Sequence, residues 1–209
     1  MGKSNRKLTD KELRRKEKFE KLSNDMLEKG YQAKVLTVGI VQANVGAFFI
    51  MLPFMIMTTW FYYIVNREGV QELSLRFSLL LCLLLLLLIV LHELIHGITW
   101  GIFAKNHFRS IRFGIIWSAL TPYCTCSEPM NQWQYLSGSA MPTLLLGFGM
   151  AVVATVTGQF LLFILSELMI LSGGGDFLII LKILLYRSGK KEKVYCDHPY
   201  ECGVVVFEK

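Results

Sequence analysis

The stretch LLLCLLLLLLIVLHELIH, Leu79–His96, decides how the rest of the chain is read. It begins as an uncharged apolar run and ends in His92-Glu93-Leu94-Ile95-His96, which spells H-E-x-x-H. On a helix, positions i and i+4 share a face, so the imidazoles of His92 and His96 can grip one metal ion. Glu93 stands beside them and can act as general base toward a water at the metal. A carboxylate and two imidazoles are costly to place in lipid, and such groups usually mark function. The stretch therefore reads as the centre of a zinc-dependent hydrolase whose active site lies within a membrane.

Composition agrees with that setting. Of 209 residues, 53% are hydrophobic, and the mean hydropathy is +0.44. This is too apolar for an ordinary soluble domain of the size and fits a small polytopic membrane protein. Net charge is +6, and eleven of the 22 Lys and Arg fall in residues 1–34. Membrane topology accounts for that bias, so no nucleic-acid partner is expected. No cleavable signal is expected, because no apolar core follows closely on the first basic residues. Arg6 stands where a myristoylation signal needs Ser or Thr.

Residues 9–29 read as an amphipathic helix, opened by a Thr9/Glu12 capping box and a Leu8/Leu13 staple and stopped at Gly30. Its sparse apolar stripe fits a helix on the membrane surface or a solvated basic lead. Four spans follow, near 45–65, 75–103, 139–165 and 168–186, with Trp60, Tyr62 and Tyr63 as an interfacial aromatic end of the first. Outside these spans, Lys and Arg concentrate in the N-terminal segment, the 104–138 loop and the tail after Tyr186. Both termini and that loop are therefore expected in the cytoplasm of a multi-pass cell-membrane protein. Within the loop, Arg109–Trp117 and Ala119–Cys126 read as two short strands, and Val194–Phe207 as a small hairpin around His198-Pro199. The expected fold is an all-α polytopic membrane protein with about four transmembrane helices and small cytoplasmic β-hairpins. It divides into a basic N-terminal helix (1–42), a transmembrane core (43–186) and a cytoplasmic tail (187–209).

A catalytic zinc needs a third protein ligand. Asp176, preceded by three glycines, is the one acidic residue in the fourth span, and a metal partner resolves the cost of burying it. Depth agrees: His96 lies nine residues before Lys105, and Asp176 eleven before Arg187. Lys182, six residues after Asp176, does not share its helix face and is read as snorkelling to the cytoplasm. Glu167 reads as interfacial, His107 as a loop residue and His198 as a turn residue. Cys124, Cys126, Cys196 and Cys202 lack zinc-finger spacing and are read as reduced thiols. Pro142, placed near the start of the third span, frees a backbone carbonyl that could help bind an extended substrate strand.

With these residues in view, the chain resembles the bacterial membrane proteins described as "putative zincin peptidases", related to the site-2 protease group. The resemblance spans most of residues 30–207. Its landmarks are Gln42-Ala-Asn44, His92-Glu-Leu-Ile-His96-Gly, Cys126-Ser-Glu128-Pro129, Ala140-Met-Pro142, Gly175-Asp176 and Asp197-His-Pro-Tyr-Glu-Cys-Gly203. It implies that His92, His96 and Asp176 ligate Zn2+, that Glu93 is the catalytic base, and that a substrate helix is cut near its cytoplasmic side. The sequence departs in one place: site-2 proteases carry Leu-Asp-Gly around the ligand, whereas here glycines precede Asp176 and Phe177 follows.

The function that results is a zinc-dependent intramembrane endopeptidase. Its partners are the lipid bilayer and a membrane-spanning peptide or protein substrate. The alternative is a non-catalytic zinc-binding membrane scaffold or partner protein, which would not need Glu93. A His/Asp transport relay fits less well, because all three groups sit at one depth and not along a path.

Overall fold

The computed structural model describes residues 9–67, 74–116 and 121–209. Helix α1 (Asp10–Glu28) opens with the expected capping box: Thr9 N–H donates to the Glu12 carboxylate at 2.9 Å, and the Thr9 hydroxyl accepts from Glu12 N–H at 3.4 Å. Gly30, at φ +85°, turns the chain out of it. Leu8, the other half of the staple, lies outside the described residues. Most of the apolar stripe of α1 packs on the protein itself, while Leu13 and Leu27 stay exposed. Phe19, Leu22 and Met26 pack on Cys196, Val205 and Phe207 from the far end of the chain.

Those partners belong to a sheet of β1 (Gln32–Thr37), β4 (Lys193–Asp197) and β5 (Gly203–Glu208), ordered β1-β5-β4 and antiparallel throughout. The tail hairpin was expected; its third strand was not. Val35 pairs with Val205 across the central strand, so the basic lead and the tail meet in one sheet. β5 is buried along its whole length, which its run Val204-Val-Val-Phe207 suits.

Helices α2 (Ile40–Val65) and α3 (Leu75–Phe103) follow the first two predicted spans. The later boundaries need correction. The third helix begins at Gln132, where Asn131 and Gln134 form a capping box, not near Ser139. It runs as α4 (Gln132–Pro142) through a π-helical turn (Thr143–Gly149) into α5 (Met150–Thr157). It ends at Gly158, whose φ of +70° is a left-handed stop, and not at Leu165. Then α6 (Phe160–Ser172) and α7 (Gly174–Leu185) form one pair bent by 41°. Among the described residues, three helices are long and apolar enough to cross a membrane, and a fourth if the bent pair counts as one. On α3, Leu79, Leu83, Leu86, Leu87 and Val90 point outward, and only its polar end is buried. The described residues are thus mostly helical, with two small sheets.

Between α3 and α4 the chain makes a short 3-10 turn (His107–Ser110) and an antiparallel pair, β2 (Ile111–Ile116) with β3 (Thr121–Cys126). The parts of the two predicted strands at Trp117, Ala119 and Leu120 lie outside the described residues. Among the described residues every strand therefore joins the helices at the same end: β1 leads into α2, the hairpin links α3 to α4, and β4 follows α7. At the opposite end Tyr62 stacks on Phe163 (4.2 Å) and donates to the Gly158 carbonyl at 3.1 Å. Tyr62 is thus a core residue, and only Trp60 and Tyr63 are exposed as an interfacial residue would be. Glu167 is likewise buried instead of interfacial, accepting the Thr58 hydroxyl at 2.6 Å.

Candidate metal centre

His92 and His96 lie one turn apart on the buried end of α3, and Asp176 enters from the first turn of α7. His92 Nε2 stands 3.2 Å from His96 Nε2, and Asp176 Oδ2 is 3.2 Å from the first and 3.3 Å from the second. The three atoms form a nearly equilateral triangle. Ligands on a tetrahedron around zinc, at about 2.05 Å from it, stand about 3.3 Å apart. The donor set therefore fits a zinc with one corner of the tetrahedron left open. Among the described residues this is the one group of three or more His, Cys, Asp and Glu placed to hold a metal. The four cysteines outside α3 form no such group and no disulfide. Lys182 turns away from Asp176 and donates to the Thr37 carbonyl at 2.8 Å.

Glycines bring Asp176 to this place. At the α6–α7 bend, a Cβ on Gly173 would stand 1.8 Å from Thr143 Oγ1, and one on Gly174 would stand 2.6 Å from Ala47 Cβ. Bare backbone at these two positions lets the bend seat itself between α2 and the π-helical turn.

His96 is fixed more firmly than His92. Its Nδ1–H donates to the Gly138 carbonyl at 2.8 Å, which leaves the Nε2 lone pair for a metal. That carbonyl is available for a covalent reason. In an α-helix the carbonyl of residue 138 would bond the N–H of residue 142, and Pro142 has none. Pro142 is fully buried as the eleventh residue of α4, not near the helix start, and the carbonyl it frees points at His96. The Trp100 ring stacks on His96 (5.0 Å, 15°) and donates to the Tyr135 carbonyl at 3.3 Å. Gly138 leaves room for that ring, since a Cβ there would fall 1.9 Å from Trp100 Nε1. His92 Nδ1, by contrast, is buried with no hydrogen-bond partner among the described residues. Restoring a backbone donor with Pro142→Ala is expected to pull the Gly138 carbonyl back into its helix. Zinc affinity should fall by about 10–100-fold, as read by chelator competition, with helicity kept.

The metal group opens into a cavity of about 560 Å³ that Glu93 also lines, together with Asn44 from α2 and Asp197 and His198 from the tail. The Cys124 N–H of β3 hydrogen-bonds the Glu93 carboxylate, tying the hairpin to the helix that carries it. Sequence reasoning gave Asp197 and Tyr135 no role at the site. Asp197 Oδ1 accepts the Tyr135 hydroxyl at 2.6 Å, and Oδ2 accepts Cys126 N–H at 2.8 Å. Burial pushes the Asp197 carboxyl up to about 6, against the pull of those two hydrogen bonds. Burial also raises the Cys124 thiol and pushes that of Cys126 up to about 12, which favours the protonated form of both. His198 Nδ1 accepts Glu201 N–H at 3.0 Å, as a turn residue does, while its ring reaches the cavity wall.

A family described as "Putative zincin peptidase" matches residues 85–190, just over half of the 209-residue chain. The chain belongs to that family. The matched region contains the H-E-x-x-H residues, the β2–β3 hairpin, Pro142 and Asp176, and leaves out Asp197 and the three-stranded sheet. Membership implies zinc, and the His92/His96/Asp176 triangle can hold it. No curated protein and no solved structure matches the chain.

Proposed function

We propose that the protein is an intramembrane zinc endopeptidase of the site-2 kind, which cuts a membrane-embedded peptide near the cytoplasmic face. One observation carries the reading: an open-cornered triangle of three ligand atoms shares a cavity with the Glu93 carboxylate, on helices apolar enough to span a bilayer. Family membership supports peptide-bond hydrolysis. All the strands lie at the basic end of the helices, which supports placing that end, and both termini, in the cytoplasm. The helical 43–186 unit would then be the catalytic core, with the two flanking segments forming its cytoplasmic cap.

When bound, zinc supplies Lewis acidity toward the scissile carbonyl and toward water. The remaining steps fall to the chain. His92, His96 and Asp176 hold the metal position, and the Gly138 carbonyl keeps the His96 ring in its coordinating tautomer. Glu93 takes a proton from the attacking water and delivers it to the departing amine. The Cys124 N–H orients the Glu93 carboxylate for that transfer. A substrate helix must unwind locally to present its carbonyl, because a helical carbonyl is already hydrogen-bonded.

The test is a membrane-spanning reporter peptide reconstituted with the purified protein in liposomes, with products mapped by mass. Cleavage in the cytoplasmic half of the span, stopped by chelator and restored by zinc, is expected. Zinc-loaded protein that cuts no member of a varied reporter set would favour the non-catalytic scaffold.

A further inference from the structure

A second cavity, of about 410 Å³, lies between α1, the β2–β3 hairpin and the β4–β5 turn. Arg14, Arg15 and Lys18 of α1 and Arg112 of β2 line it. Asp197 is the one carboxylate in its lining, and both its oxygens already accept hydrogen bonds from Tyr135 and Cys126. The cavity is therefore strongly cationic. Its charges are not on a loose lead, because Phe19, Leu22 and Met26 of α1 pack on the sheet and so fix where Arg14, Arg15 and Lys18 stand.

Arg15 marks the join between this cavity and the metal site. Its guanidinium lies 4.4 Å over the Tyr123 ring, and its Nε is buried with no hydrogen-bond partner among the described residues. Arg15, Tyr123, Thr125, Asp197 and His198 line both cavities, so the two compartments share a wall. A peptide leaving the metal site on the strand side of the protein passes that wall.

We propose that this basic cavity binds an acidic segment of the substrate, a run of Asp or Glu flanking the cleaved span on its cytoplasmic side. The inference rests on the endopeptidase reading and adds a substrate class to it. Anionic lipid headgroups are the competing ligand for basic side chains beside a membrane. The peptide is favoured because the charges line a concavity that adjoins the metal cavity, where a flat lipid surface has no reason to reach. Arg15 would supply a planar fork for a carboxylate, and the exposed Arg14, Lys18 and Arg112 a surrounding positive field.

The test measures binding, so it stands even where no cleavage is seen. Full-length zinc-loaded Glu93→Gln protein in zwitterionic nanodiscs is titrated with labelled membrane-spanning peptides that differ only in an Asp/Glu or a Ser/Asn cytoplasmic flank. The acidic flank is expected to bind about tenfold tighter at low salt, with the gap closing as salt rises. Arg14→Gln/Arg15→Gln/Lys18→Gln should abolish the gap at unchanged zinc content. Arg14→Glu/Lys18→Glu, which alters only exposed positions, should reverse it in favour of a Lys-flanked peptide. Equal binding of the two flanks, or a gap that survives the triple substitution, overturns the proposal. A triple variant that keeps the gap but loses binding to phosphatidylglycerol vesicles overturns it too, and assigns the cavity to lipid.

Discussion

Glu93→Gln is expected to retain zinc and lose peptide cleavage by about 10²–10⁴-fold, the range that a positioned general base contributes. Gln keeps the size of the side chain and an oxygen to accept the Cys124 N–H, so the hairpin and the helix should stay joined. What it lacks is the ability to take a proton from water. The measurement pairs zinc per chain with initial rate on the liposome reporter. A variant within a few-fold of the wild-type rate would remove Glu93 from proton transfer. Joint loss of rate and metal would instead make Glu93 a support of the site's shape.

The second large effect is at Asp176. Asp176→Ala leaves two imidazole nitrogens 3.2 Å apart and no third ligand on α7. Zinc should be lost from about one per chain to near none after dialysis against a weak chelator, with affinity falling well beyond the 10–100-fold typical of an outer hydrogen-bond partner. Asp176→Asn, which keeps an oxygen but loses the charge, should fall between the wild type and the Ala variant. Zinc retained in the Ala variant would reassign the third position, and Glu93, Asp197 and Glu201 are the other carboxylates lining the same cavity.

These two positions were legible in the sequence because each breaks a strong local rule. H-E-x-x-H interrupts a run of leucines at helical spacing, and Asp176 is a carboxylate where none is tolerated without a partner. The helix boundaries between 132 and 186 were less legible because apolar residues run through them almost without pause. The true break at Gly158 is a single left-handed glycine, easily outweighed by hydropathy averaged over a window. The bend at Gly173 owes its place to Thr143 and Ala47, which are neighbours only in space. Strand β1 was missed for the same kind of reason: its six residues are mostly exposed, and the partner that makes them a strand lies about 170 positions away. Pro142 was read as opening a carbonyl to a substrate strand, and no local pattern says that His96, 46 residues earlier, would take the Gly138 carbonyl. Asp197 stood out only as part of the Asp197–Gly203 landmark and Tyr135 not at all, since their pairing depends on how the tail folds back over α4.

The placement of the three ligands has a consequence for biogenesis. His92 and Asp176 are 84 residues apart, on helices that leave the ribosome at different times. While α7 is unmade, the nascent chain holds two imidazoles and no carboxylate to complete the triangle. A protease assembled this way stays inert throughout its own synthesis and insertion, and is armed only when α7 docks against α2 and α4. A chain arrested before residue 176 should therefore enter the membrane without capturing zinc, and one arrested after α7 should capture it.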